Sequence, residues 1–132
     1  MGLALLDTSI VIAALNRDDG LHQPASHAVL TERDRHALAI SALTYAEVLV
    51  GPLRAGREAV EIVERFAAQT RILNVSASIA RLAAELRATR NLKLPDAVIV
   101  ATGLRHDADV ILTGDTRWKG IETVRVVATG DR

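Results

Sequence analysis

Asp7, Glu47, Asp96 and Asp115 are four carboxylates set against apolar sequence, and oxygen ligands of that kind suit a hard divalent cation. Asp7 ends the run Leu3-Ala4-Leu5-Leu6, and Asp115 ends Val110-Ile111-Leu112-Thr113-Gly114. Glu47 shares one helix face with Leu43, Ala46 and Val50 at i, i+3, i+4, i+7 spacing, which reads as an apolar face. Asp96 opens the strongly apolar stretch Ala97-Val98-Ile99-Val100-Ala101. Carboxylates beside a core are costly unless paired, hydrogen-bonded or bound to a cation. Gathered at one place, they would take Mg²⁺ or Mn²⁺ rather than zinc. Such a site lowers the pKa of bound water and shields phosphate oxygens during an in-line displacement.

Each acid also has a purely structural use. Asp7 could cap the helix that follows, although Thr8 or Ser9 would serve equally. Glu47 could pair with Arg54, Asp96 could answer a helix dipole, and Asp115 could be a turn residue. Asp107 and Asp109 precede a strand and read as ordinary loop acids at its opposite end. His22, His27, His36 and His106 show no ligand spacing and are expected to be exposed.

The elements that must position these acids alternate. Leu3–Leu6 reads as a buried strand, followed by a helix over Ser9–Leu15. Gly20–Arg35 is expected to be helical, with Pro24 in its first turn, and Ala37–Ser41 is a second strand. A helix beginning near Thr44 is expected to stop at Gly51-Pro52. Ala59, Ile62, Val63 and Phe66 mark one amphipathic helix, and Ile79, Leu82, Ala83 and Leu86 mark another, with a strand over Arg71–Val75 between them. Pro95 suits the first position of a buried helix. Val110–Thr113 and Thr123–Val127 complete five strands, and 128–132 reads as a loose C-terminal tail. This alternation predicts an α/β fold with a parallel sheet covered on both faces, whose ligands bind beyond the carboxyl ends of the strands.

Composition narrows the chemistry. At 132 residues, with 49% apolar residues, the chain is expected to form a single domain over 1–132 with a real core. It has no cysteine, so thiolate ligands, thiol nucleophiles and disulfides are excluded. The apolar N-terminus lacks the basic start and cleavage site of a signal peptide, and Leu6 departs from a myristoylation signal. No apolar run has the length of a membrane span, so a soluble, cytoplasmic chain is expected. Net charge is zero, but setting the four acids aside leaves 16 basic residues against 12 acidic, a surplus of four. Only Lys93 and Lys119 are lysines; the rest are arginines, suited to bidentate phosphate contacts. No dinucleotide-binding glycine motif, phosphate-loop lysine or nucleophile elbow is present. A phospho-acceptor role for Asp7 lacks its second acid, since position 9 is Ser9.

Four segments carry a family resemblance: Leu6-Asp7-Thr8-Ser9; Ile40-Ser41-Ala42-Leu43-Thr44-Tyr45-Ala46-Glu47 with Gly51; Leu94-Pro95-Asp96-Ala97-Val98-Ile99-Val100-Ala101-Thr102; and Leu112-Thr113-Gly114-Asp115. In this order and spacing the chain resembles PIN-domain ribonucleases, and among them the VapC-type toxins of type II toxin–antitoxin pairs. The resemblance implies a three-layer α/β/α sandwich around a mainly parallel five-stranded sheet. It implies a Mg²⁺-dependent endoribonuclease, with Mn²⁺ able to substitute, that uses metal-activated water to leave 5′-phosphate and 3′-hydroxyl ends. Asp7, Glu47, Asp96 and Asp115 would be the catalytic metal ligands, supported by the hydroxyls of Thr8, Ser9 and Thr113. It further implies an RNA substrate, a cognate antitoxin protein and a homodimer, with no membrane partner. The alternative is a catalytically inactive module of the same fold that binds RNA or protein. Gly114 stands where many relatives carry a larger residue, and Trp118 fills the aromatic position that follows, which bears on the pocket rim. With Tyr45, Phe66 and Trp118 the only aromatics, base stacking has little to work with, so phosphate contacts should dominate. Arg54, Arg57, Arg90, Lys93, Arg117 and Lys119 flank the motifs and are the RNA-binding candidates.

Overall fold

Five strands form one sheet in the order β3-β2-β1-β4-β5, with every pairing parallel. The computed structural model describes residues 2–130; the first residue and the last two lie outside it. In chain order the elements are β1 (Gly2–Leu6), α1 (Thr8–Leu15), α2 (His22–Arg33), β2 (His36–Ser41), α3 (Ala42–Ala55), α4 (Arg57–Ala67), β3 (Arg71–Leu73), α5 (Ala77–Arg90), α6 (Leu94–Arg105), β4 (Val110–Thr113), a short 3-10 turn (Thr116–Trp118) and β5 (Val124–Val126).

Side chains alternate across each strand, and each parity meets its own helical layer. Leu3, Leu5, Ala39, Leu73 and Ile111 pack on one face against Ile79 and Ala83 of α5 and Ile99 and Val100 of α6. Ala4, Leu6, Leu38, Ile40 and Leu112 pack on the other against α1, α2, Val48 of α3 and Val63 of α4. Burial on both faces is why β1 reads as an unbroken apolar run. α6 approaches β4 closely at Gly103, where an added Cβ would collide with Ile111 Cδ1 and lie 2.7 Å from its Cγ1.

The sheet reverses its direction of growth at β1. β2 lies on one side of it and β4 on the other, so the carboxyl ends of β1 and β4 frame the crevice where ligands of open parallel sheets sit. Asp7 and Asp115 follow those two strands.

Three expectations are corrected. α3 does not stop at Gly51-Pro52; it runs to Ala55 with Pro52 inside it and ends at Gly56, whose φ of 138° favours glycine. His22 and His36 are half-buried rather than exposed: His22 Nδ1 is 2.8 Å from the Ala13 carbonyl, and His36 Nδ1 is 2.8 Å from Glu32 Oε1. Asp109 does lie at the amino end of β4, yet it is no idle loop acid, since its Oδ2 accepts the Leu3 N–H at 2.8 Å. The expected tail is partly outside the described residues. Just before it, Val127 is buried and donates its N–H to the Thr113 carbonyl at 2.7 Å, and 129–130 form a turn.

Two glycines in helices should respond oppositely to alanine. Nothing surrounds a Cβ at Gly51, so Gly51→Ala should stabilise by up to about 1 kcal/mol through helix propensity. Gly103→Ala should lower stability by about 1–2 kcal/mol, because overpacking outweighs the same gain. Urea denaturation of both variants checks the pair.

Candidate active site

Asp7 belongs to two elements at once. Its N–H extends the sheet to the Leu112 carbonyl at 2.9 Å, and its side chain caps α1, with Oδ1 accepting the Thr8 N–H at 2.8 Å. Oδ2 accepts the Ser9 hydroxyl at 2.7 Å and the Thr113 hydroxyl at 2.8 Å. The residue is 5% exposed. Burial pushes its carboxyl above the usual range, and the bonds from Ser9, Thr113 and Thr8 oppose that shift without cancelling it. Capping and membership of the acid group are therefore both true of this residue.

Thr8 links Asp7 to Glu47. Its hydroxyl donates to Glu47 Oε1 at 2.6 Å and lies 3.0 Å from the hydroxyl of Thr44, which is fully buried. The expectation of an apolar face around Glu47 fails, because Ala46, Glu47 and Val50 are exposed and α3 buries Thr44 and Val48 instead. Ser41, three residues before Thr44, caps α3, and the buried positions Thr44 and Val48 fall one residue along from the expected Leu43 and Glu47. No Glu47–Arg54 ion pair forms among the described residues; Thr8 holds the carboxylate. Thr44 is the contributor that sequence reasoning missed, since a threonine near a helix start reads first as a cap.

Asp96 lies in the first turn of α6, with its side chain 24% exposed. Burial raises its carboxyl pKa, and the negative charges of Asp7 and Asp115 raise it further, against the weaker pull of Arg117 and Lys93. Its carboxylate accepts no hydrogen bond among the described residues. Asp115 is the opposite case. It caps the 3-10 turn, accepting the Arg117 N–H at 2.9 Å, and the Arg117 guanidinium grips it at 2.5 Å, which holds its pKa below the usual range. The same guanidinium nitrogen lies 3.9 Å from Asp96 Oδ2. Thr113 ties this side to Asp7, because its hydroxyl also accepts the Asp115 N–H at 3.1 Å.

Asp7, Asp96 and Asp115 thus share one electrostatic neighbourhood, and Glu47 joins it through Thr8. Among the described residues, no three His, Asp or Glu side chains stand close enough together to enclose an ion by themselves. Of the basic candidates, Arg90, Lys93 and Arg117 converge with Asp96 on a cavity of about 230 Å³, whereas Arg54, Arg57 and Lys119 do not line it. Trp118 does not serve as an exposed rim; it is fully buried in the core beneath α5 and α6. At Gly114 an added Cβ would come within 2.7 Å of Leu21 Cδ1, so the small residue goes with Leu21 packed over the turn. No helix among the described residues is long and apolar enough to cross a membrane.

A family model described as PIN domain matches residues 4–123. Among solved structures, the chain is 31% identical to a toxin–antitoxin complex from Klebsiella pneumoniae, covering 98% of this chain and 99% of that one with a TM-score of 0.79. Two more distant structures share the fold. VapBC2 from Rickettsia felis, bound to a DNA fragment from its promoter, is 18% identical over 96% of this chain and 99% of that one, with a TM-score of 0.79. VapC20 from Mycobacterium tuberculosis, a toxin that cleaves the sarcin–ricin loop, is 20% identical over 95% and 99%, with a TM-score of 0.76. Comparison with curated proteins gives no significant match.

The acids should differ in their effect on stability. A folded-state pKa above the unfolded value means that the folded protein binds more protons, so the Asp96 contribution declines as pH rises from about 3.8 through the raised value. Asp96→Asn removes that penalty and should raise the metal-free melting midpoint at neutral pH. Asp115 has a lowered folded value, so its stabilisation is present above 3.8 and lost as pH falls; Asp115→Asn should lower the same midpoint. Melting in chelator across the pH range reads both signs. Asp7→Ala removes the α1 cap and two hydroxyl bonds and should cost about 1–3 kcal/mol by urea denaturation.

Proposed function

We propose, from the premise that this chain belongs to the PIN-domain family, that it is a divalent-metal-dependent endoribonuclease and the toxin of a toxin–antitoxin pair. It cuts RNA phosphodiesters to leave 5′-phosphate and 3′-hydroxyl ends. The observation that carries this reading is Asp96: a partly buried carboxylate without a hydrogen-bond donor, facing two like charges. A hard cation relieves that repulsion. The acids offer only oxygen donors, and Mg²⁺ keeps most of its waters while binding through one or two carboxylates, so it does not require three acids gathered around it.

Asp7 and Asp96 are the proposed direct ligands, with Glu47 and Asp115 completing the acidic wall. Mg²⁺, or Mn²⁺ in its place, supplies a lowered water pKa and neutralises charge at the phosphate oxygens. The protein's own part is positioning. Ser9 and Thr113 fix the Asp7 carboxylate, Thr8 fixes Glu47, and the N-terminus of α6 brings Asp96 to the crevice.

An antitoxin partner is supported by the 31% identical toxin–antitoxin complex and by an apolar groove on the α1–α3–α4 face. That groove, about 260 Å³, includes Ile12, Leu15, Val48, Pro52, Ile62 and Val63. Ile12 is 43% and Ile62 47% exposed, a surface suited to the apolar side of a partner helix.

Purified protein should cleave RNA with Mg²⁺ or Mn²⁺ and stop on chelation, and Asp96→Asn should lose at least about 100-fold in rate with an unchanged circular dichroism spectrum. Expressed alone the chain should arrest growth, and either Asp96→Asn or the partner encoded beside it should relieve the arrest. RNA binding without cleavage under both metals would make it a binding module instead.

A further inference from the structure

We infer that the cavity between α5, α6 and the 3-10 turn is a subsite for the phosphodiester next to the one being cut, on a single RNA strand. This deepens, and rests on, the ribonuclease reading. Three of its lining side chains are cations, Arg90, Lys93 and Arg117, against one acid, Asp96. Asp96 is also a wall of the acidic crevice, so a phosphate held by the cations lies beside the reacting one. The volume, about 230 Å³, is of the size of one nucleotide's sugar-phosphate unit.

The cavity rests on a fixed frame. Asn91 ends α5 in the left-handed conformation, φ 57°, and Arg87 donates from one nitrogen to Asn91 Oδ1 at 3.0 Å and to the Leu92 carbonyl at 3.2 Å. Leu92 is buried between the helices, and Trp118 is wholly buried at the other wall. Arg117 is occupied by Asp115, but neither the Arg90 nor the Lys93 side chain has an ion-pair or hydrogen-bond partner among the described residues. Arg90 at the end of α5 and Lys93 at the start of α6 thus flank a pinned connection, and neither is held by a direct bond that an incoming anion must displace. Stacking cannot replace them in this cavity, because the aromatic that lines it, Trp118, is wholly buried.

The test is fluorescence anisotropy of a short, labelled, mixed-sequence single-stranded RNA in chelator, titrated at several salt concentrations. Arg90→Ala/Lys93→Ala should weaken binding roughly tenfold and flatten the slope of log K against log salt by about 1.4, as expected for two lost phosphate contacts. Arg35→Ala/Arg105→Ala removes equal charge at the amino end of the sheet and should change neither. Arg90→Gln/Lys93→Gln keeps part of each stem and should behave as the alanine pair does, which separates charge loss from lost packing. Equal effects of the two alanine pairs, no salt-dependent binding by the parent protein, or weakened capture of the antitoxin with RNA binding unchanged would each overturn the subsite. Cleavage in Mg²⁺ is scored separately. Pocket-dependent binding without cleavage sinks the nuclease reading and leaves the cavity as an RNA-phosphate site with no cut beside it, whereas cleavage with pocket-independent binding keeps the nuclease and sinks the subsite.

Discussion

Repulsion among carboxylates at the end of a parallel sheet is the constraint around which the rest of the molecule is arranged. Asp7 is buried at the end of the central strand, where an unsupported charge would be severely penalised. The chain answers with three local donors, from Thr8, Ser9 and Thr113, which make the charge tolerable without neutralising it. Asp115 is answered by Arg117. Asp96 receives no comparable support, so the unbalanced charge of the cluster is concentrated on one side chain at the mouth of the crevice. A site poised for a cation needs that residue of unsatisfied charge, and stability is what the fold gives up for it.

The amino end of the same sheet is treated differently. Glu32 is also a buried acid, at 5% exposure, but His36 lies 2.8 Å from one of its oxygens and Arg125 3.9 Å from the other. Asp109 completes the group by receiving the Leu3 N–H and standing 3.9 Å from His36 Nε2. Gly2 has no room for a Cβ between Asp109 and His36. The side chains there are paired with one another or with the backbone and tie α2, β1, β2, β4 and β5 together. The two ends therefore carry similar residue types with opposite consequences: one closes the fold, the other leaves it open to a ligand.

Much of this was legible in the sequence, for reasons that can be named. β1 and β4 are short apolar runs followed at once by helix or turn signals, so their existence and the strand-end placement of Asp7 and Asp115 could be read directly. Pro95 ahead of an all-round apolar run located α6, and periodicity located α4 and α5. It failed at α3, where Leu43, Ala46 and Val50 repeat like a core stripe although the buried residues are Thr44 and Val48. Small apolar residues make such a stripe ambiguous, and an offset of one residue between the expected and the buried positions is enough to turn the face. Pro52 misled as a stop because a proline's cost can be borne within a helix that packs against its neighbours. Contacts between distant segments had no local signal at all: Thr8 with Thr44, Arg117 with Asp96, and His36 with Asp109 depend on which elements the sheet makes adjacent.

Trp118 has a use unrelated to its packing. It is the chain's single tryptophan, fully buried in the turn that carries Arg117, and it walls the cationic cavity. Indole emission from this protein therefore has one origin, a few residues from the acids. Its colour and quenching report whether that turn stays docked under α5 and α6. The molecule carries its own optical gauge of the crevice, with no label to attach.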